Sequence, residues 1–114
     1  MRIGLLTGGG DCPGLNAMIR AVGKSAITKH NAEVFGIKNG FQGLIEDSVE
    51  QLSFERLSGI INRGGTILGT NNRCDPLNYI YAKDENGSPL VRNAVEDCLQ
   101  VIKKYSMDAL LVIG

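Results

Sequence analysis

Apolar residues follow two rhythms along this chain, and the change from one to the other predicts the order of its elements. Residues 3–6 and 108–114 are short, almost wholly apolar runs, as expected of strands buried on both faces, and residues 33–38 alternate around Val34, Phe35 and Ile37. Between the first and second strands, Leu15, Met18, Ile19, Val22 and Ala26 recur at spacings of three and four. That spacing predicts one apolar stripe on a helix from Pro13 or Gly14 to about Lys29. The opening therefore reads strand, helix, strand, a crossover that joins parallel strands and sets the loops after both on one edge of a sheet.

Further along, the rhythm weakens. Residues 41–50 read as loop with a short excursion, and residues 53–61 as a short helix capped by Ser53. Residues 75–87 are polar, with Pro76 and an Asn86-Gly87 turn, and predict an exposed excursion. Ser88-Pro89 reads as a helix start, followed by an inward stripe of Leu90, Ala94, Cys98, Val101 and Tyr105, which explains Cys98 as packing. The fold class expected is α/β, a three-layer open parallel sheet with helices on both faces. A strand as apolar as residues 108–114 needs cover on both faces, and in such a sheet the loop after Ile113 carries function. Residues 1–114 are thus expected to be the N-terminal part of a longer polypeptide.

Composition narrows the classes. Twelve basic and twelve acidic residues cancel, 43% of positions are hydrophobic, and the basic residues are dispersed with few aromatics between them, so nucleic acid is not an expected partner. Cys12, Cys74 and Cys98 are an odd number at wide spacing, which fits neither a disulfide framework nor a zinc site and predicts a reducing compartment. No run approaches the ~20 apolar residues of a membrane span, so a soluble cytoplasmic protein is expected. His30 falls at a helix C-terminus, where positive charge is favoured, and is assigned no catalysis.

The chemistry concentrates where the first strand ends. Gly8, Gly9 and Gly10 let main-chain amides approach a ligand, and the helix behind them aims its positive end at the same place, an arrangement suited to phosphate. The alternative reading is a strand-to-helix turn that merely needs glycine. Residues 62–73, with Gly64, Gly65 and Gly69 around a short apolar piece and a polar tip ending in Arg73, form a second candidate ligand loop. Asp11 suits fixing the turn or capping the helix better than acting as a base. No Gly-Lys-Ser/Thr follows the glycines, which excludes a P-loop ATPase. The last glycine of a Gly-x-Gly-x-x-Gly motif is Pro13 here, and Lys38-Asn39 ends the second strand without an acidic residue, which argues against a dinucleotide-binding module.

Four segments together resemble the opening of the 6-phosphofructokinase family: Thr-Gly-Gly-Gly-Asp-Cys-Pro-Gly-Leu-Asn-Ala at 7–17, Asn-Gly-Phe-Gln-Gly-Leu at 39–44, Arg-Gly-Gly-Thr-Ile-Leu-Gly-Thr at 63–70 and Asp-Ala-Leu-Leu-Val-Ile-Gly at 108–114. The resemblance covers the chain apart from residues 74–88, which are longer than in the common bacterial enzymes. It implies a Rossmann-like N-terminal domain of a glycolytic phosphotransferase. Such an enzyme phosphorylates fructose 6-phosphate to fructose 1,6-bisphosphate, from ATP with Mg2+ or, in a second branch, from pyrophosphate. A non-catalytic regulatory domain of the same fold is the remote alternative, and a homo-oligomer, dimer or tetramer, is the implied assembly.

The same resemblance implies roles for individual residues. Gly8, Gly9 and Gly10 correspond to the donor-phosphate loop, with Gly10 at the family's phosphate-contacting glycine. Arg73 corresponds to the arginine that offsets charge on the transferring phosphoryl group, although Thr70-Asn71-Asn72 sets one extra residue ahead of it. Cys74 is its neighbour in the donor site, contributing backbone and shape. Phe41 stands where many members have a tyrosine near adenine, with a plain core phenylalanine as the alternative. Arg20 and Lys24 fall where allosteric members bind an effector phosphate with two arginines; lysine lacks the bidentate fork, and a solvated helix face is the alternative. The family's catalytic aspartate and its magnesium-nucleotide loop match nothing in residues 1–114, so no metal ligand is assigned and this piece alone is expected to be inactive.

Overall fold

The computed structural model describes residues 1–8, 14–60, 66–70 and 74–113. A strand β1 (Arg2–Thr7) leads to helix α1 (Leu15–His30) and a second strand β2 (Glu33–Ile37). A short helix α2 (Phe41–Glu46), strand β3 (Val49–Leu52) and helix α3 (Phe54–Ser58) follow. A 3-10 turn at Pro76–Asn78 opens into a hairpin of β4 (Tyr79–Lys83) and β5 (Pro89–Arg92), and helix α4 (Val95–Lys104) returns the chain to β6 (Ala109–Ile113).

The main sheet has the order β3-β2-β1-β6, with β1 parallel to both β2 and β6. Leu5 and Leu6, adjacent on β1 and both fully buried, point to opposite faces and seed two cores. Leu5 packs with Leu15, Ile19 and Ala26 of α1 and Leu57 of α3; Leu6 packs with Ile37, Leu44 of α2, and Cys98 and Val101 of α4. Helices thus cover both faces, and the α/β layering expected from the sequence is present. The sheet is mixed and not all-parallel, however, because β3 runs antiparallel to β2. Only eleven residues separate Ile37 from Val49, room for the short α2 and a return along the edge of β2 but not for a full crossover.

Other expectations need correction. Residues 41–50 are not loop: α2 occupies 41–46, and it escaped notice because six residues carry no periodicity. Its Gly43 is required, since a Cβ there would lie 1.9 Å from the Lys38 carbonyl oxygen. Ser88-Pro89 starts a strand and not a helix; proline is tolerated at the first residue of an edge strand, and Leu90 belongs to the exposed hairpin. The helix begins at Val95, whose amide donates to Asn93 Oδ1 at 2.9 Å, with Glu96 and Asp97 in its first turn. On α1, Met18 is exposed, and Asn16 and Gly23 lie on the buried face instead. Ser53 does cap α3, accepting from the Arg56 amide at 3.1 Å, and His30 is the last residue of α1.

Candidate functional site

The glycine loop follows the carboxyl end of β1, and the described residues show how that end is tied to β6, to the loop after β2 and to residues 66–70. The Gly8 amide donates to the Ile113 carbonyl at 3.0 Å, extending the pairing of β1 with β6 beyond the last strand residue. A methyl group at Gly8 would stand 3.2 Å from Val112 Cγ1 and 3.7 Å from Phe41 Cε2. Phe41 therefore flanks the start of the glycine loop as the first residue of α2. The loop after β2 reaches the same place: the Asn39 amide donates to the Leu68 carbonyl at 2.8 Å.

Residues 66–70 sit against these ends through two buried polar side chains. Thr7 Oγ1 donates to the Gly69 carbonyl at 2.6 Å and lies 3.4 Å from Thr66 Oγ1. Asn16 Oδ1, one residue into α1, accepts from the Ile67 amide at 2.6 Å. Thr7 is 0% and Asn16 2% exposed, so both bonds form where an unpaired polar group is costly. Gly69 has φ +72°, so glycine is needed there for its backbone conformation. Neither Thr7 nor Asn16 stood out in the sequence. The available signal was a polar residue on the helical face that also carries Ile19, Gly23 and Ala26.

α1 meets this edge with Gly14 at its cap, no side-chain cap bond and no acidic residue in its first turn, while Lys29 and His30 occupy its last. Its dipole is complemented at the far end by these basic residues, and its N-terminal end faces the glycine loop. Thr7, Asn16, Asn39 and Thr66 are all uncharged, so this part of the site offers hydroxyls, amides and carbonyls and not the carboxylates that hold magnesium.

Gly8 and Phe41 are thus brought together. Gly9, Gly10 and Arg73, with Asp11, lie outside the described residues. Cys74 stands beside the base of the hairpin; burial pushes its thiol up, and the carboxylates of Glu46 and Asp75 push it further, which disfavours the thiolate. Two residues on, Pro76 lines an apolar cleft of about 230 Å3 together with Phe41, Leu44, Cys98 and Ile102. Arg20 and Lys24 stand further along α1 from the glycine loop. Lys24 Nζ lies 4.3 Å over the Phe54 ring of α3, and Arg20 Nε is buried without a hydrogen-bond partner among the described residues. No described helix is long and apolar enough to cross a membrane.

The phosphofructokinase family profile matches residues 2–114. This chain belongs to the phosphofructokinase family. It is 45% identical over 113 residues to ATP-dependent 6-phosphofructokinase 2 of Clostridium perfringens, covering 99% of this chain and 31% of that protein. It is also 42% identical over 114 residues to ATP-dependent 6-phosphofructokinase 3 of Bacteroides thetaiotaomicron, covering all of this chain and 32% of the relative. The chain thus spans about a third of the length of these phosphofructokinases. Among solved structures, phosphofructokinase from Saccharomyces cerevisiae superposes with a TM-score of 0.75 at 27% identity, over 97% of this chain and 13% of the yeast chain. The T-state phosphofructokinase of Pichia pastoris gives the same TM-score at 29% identity, over 97% of this chain and 11% of that one.

Proposed function

We propose that residues 1–114 are the N-terminal, donor-binding part of an ATP-dependent 6-phosphofructokinase that transfers the terminal phosphoryl group of ATP to fructose 6-phosphate. One observation carries this reading: the carboxyl ends of β1, β2 and β6 and residues 66–70 are hydrogen-bonded into one edge, in a chain 45% identical to a relative named for that activity. On this reading the amides of Gly8, Gly9 and Gly10 receive donor phosphate oxygens, helped by the N-terminal end of α1. Phe41 and Cys74 wall the donor site, and Arg73 supplies positive charge to the transferring group. Magnesium would accompany ATP, neutralising its phosphates, with ligands other than Thr7, Asn16, Asn39 and Thr66. The reading includes a cytoplasmic homo-oligomer, which sedimentation of the intact protein checks.

The test is an assay of the intact protein with fructose 6-phosphate and either magnesium ATP or pyrophosphate. Fructose 1,6-bisphosphate formed from ATP supports the reading; formation from pyrophosphate alone replaces the donor, and no product overturns it. Arg73→Ala should lower turnover at least ~100-fold, within the range for charge-stabilising arginines. Near-normal turnover would remove Arg73 from its assigned role. Arg20 and Lys24 are not proposed as an effector site, because Lys24 is engaged with Phe54 and Arg20 Nε is buried. Lys24→Ala should leave nucleotide effects on the rate unchanged.

A further inference from the structure

We infer that Thr7 and Asn16 are positioning residues, fixing residues 66–70 against the start of the glycine loop so that the two halves of the donor site keep one spacing. The inference rests on the proposed phosphoryl transfer and goes beyond it by naming residues that touch no donor atom. Three features single them out. Both are polar yet fully buried, at 0% and 2% exposure. They come from different elements, the last residue of β1 and the second of α1, which are the two elements flanking the glycine loop in sequence. And both bond the same five-residue segment, at the Gly69 carbonyl and the Ile67 amide.

Burying two polar side chains is costly unless their partners are held in place, and apolar residues of similar shape would fill the same space. A hydrophobic contact would tolerate sliding of residues 66–70 along the sheet edge. Hydrogen bonds of 2.6 Å to two different main-chain groups do not. Gly69 adds to the constraint: its φ of +72° is a conformation few other residues adopt, and the Asn39 amide holds the neighbouring Leu68 carbonyl to the β2 loop. The consequence is kinetic. Misplacement of about 1 Å in a phosphoryl-transfer site costs on the order of 100-fold in rate, while binding of a substrate held elsewhere is spared. Loss of either bond should therefore appear in kcat and not in the KM for fructose 6-phosphate.

The experiment compares the intact protein with Thr7→Val, which keeps shape and loses the hydroxyl, and Thr7→Ser, which keeps the hydroxyl. Thr7→Val should lose about 10- to 100-fold in kcat at unchanged KM for fructose 6-phosphate, and Thr7→Ser should recover most of it. Hydrogen exchange of the 66–70 peptide should quicken in Thr7→Val and return toward the parent in Thr7→Ser. If Thr7→Val does not fold, Thr7→Ala against Thr7→Ser, which differ only in the hydroxyl, makes the same comparison. Equal kcat in the parent and the hydroxyl-less variant overturns the inference, as does equal loss in Val and Ser. A parent protein without phosphoryl transfer from either donor overturns the function itself, an outcome distinct from an active parent whose variants are equally active.

Discussion

The loop edge and the Tyr105 network hold the same sheet by opposite means. Among the described residues the ties at the loop edge are neutral, and two of them come from buried side chains: Thr7 to Gly69 and Asn16 to Ile67, with the Asn39 amide to Leu68 beside them. Around Tyr105 they involve charged side chains, most of them reached by solvent, and they are redundant. Arg2 donates from Nε to Glu33 at 2.5 Å and from Nη1 to the Tyr105 carbonyl at 2.6 Å, and lies 5.2 Å from the Phe35 ring centroid. Arg2 and Asp108 also exchange main-chain and side-chain bonds, and the Tyr105 hydroxyl donates to Asp47, which Lys104 also contacts. Charged groups in water tolerate small displacements at little cost, whereas buried neutral bonds are lost outright when their geometry fails. The molecule uses the tolerant means where it needs only cohesion, and the intolerant one where spacing matters.

The largest expected effect lies beside the loop edge. Gly43→Ala places a methyl 1.9 Å from the Lys38 carbonyl, which cannot yield without moving β2 or α2. A loss of about 3 kcal/mol is expected from this overpacking, read from urea unfolding. A loss below half that size would mean α2 is free to shift, and the loop edge less rigid than the comparison requires. Thr7→Val comes next, at about 1–2 kcal/mol for an acceptor left without its donor. The cost should be the same in low and high salt, because no charge is involved.

How much of this was readable depends on whether a residue's role repeats. β1 and β6 were legible as continuous apolar runs, β2 by alternation and α1 by a stripe at every third or fourth position. The burial expected of both faces holds for β1 but not for β6, where Leu111 and Val112 are 40% and 54% exposed because no described element covers them. α2 was not, since six residues ending at a positive-φ Asp47 contain too few turns for a stripe to emerge. At Ser88-Pro89, local chemistry that opens helices also suits the first residue of an edge strand, and only the pairing of β5 with β4 decided between them. Of the site, the glycine loop declared itself by composition and Phe41 by resemblance. Thr7 and Asn16 were silent because each acts through a partner about fifty or sixty residues away, a relation no local pattern records.

Arg2→Ala should cost about 1 kcal/mol at low salt, because Arg2 and Glu33 side chains are 39% and 49% exposed and solvent screens their pair. Raising salt to about 1 M should reduce that cost, as the screening length falls to about 3 Å. A penalty unchanged by salt would assign the work of Arg2 to its neutral contacts, and would bring the two regions closer in kind than they look.

The smallest effect is the one with the clearest sign. Hydrogen bonds from Lys104 and then from the Tyr105 hydroxyl hold the Asp47 carboxyl below the usual carboxylate range. A depressed value means its stabilising contribution is complete above an unfolded-state pKa of about 3.9 and fades as pH falls through the lower folded value. The Tyr105 phenol is raised, first by its bond to Asp47 and then by burial. Its contribution is complete below the ordinary tyrosine value and fades as pH rises through the folded one. The difference in stability between the parent and Asp47→Asn should therefore be flat through neutrality and shrink at both extremes. Lys104 is raised as well by its bond to Asp47, so Tyr105→Phe should shrink the alkaline limb without removing it, and leave an acid limb carried by Lys104. Thr7→Val, with nothing to titrate, should show neither limb, and a pH-dependent cost there would place an ionising group at the loop edge and undo the contrast between the two regions.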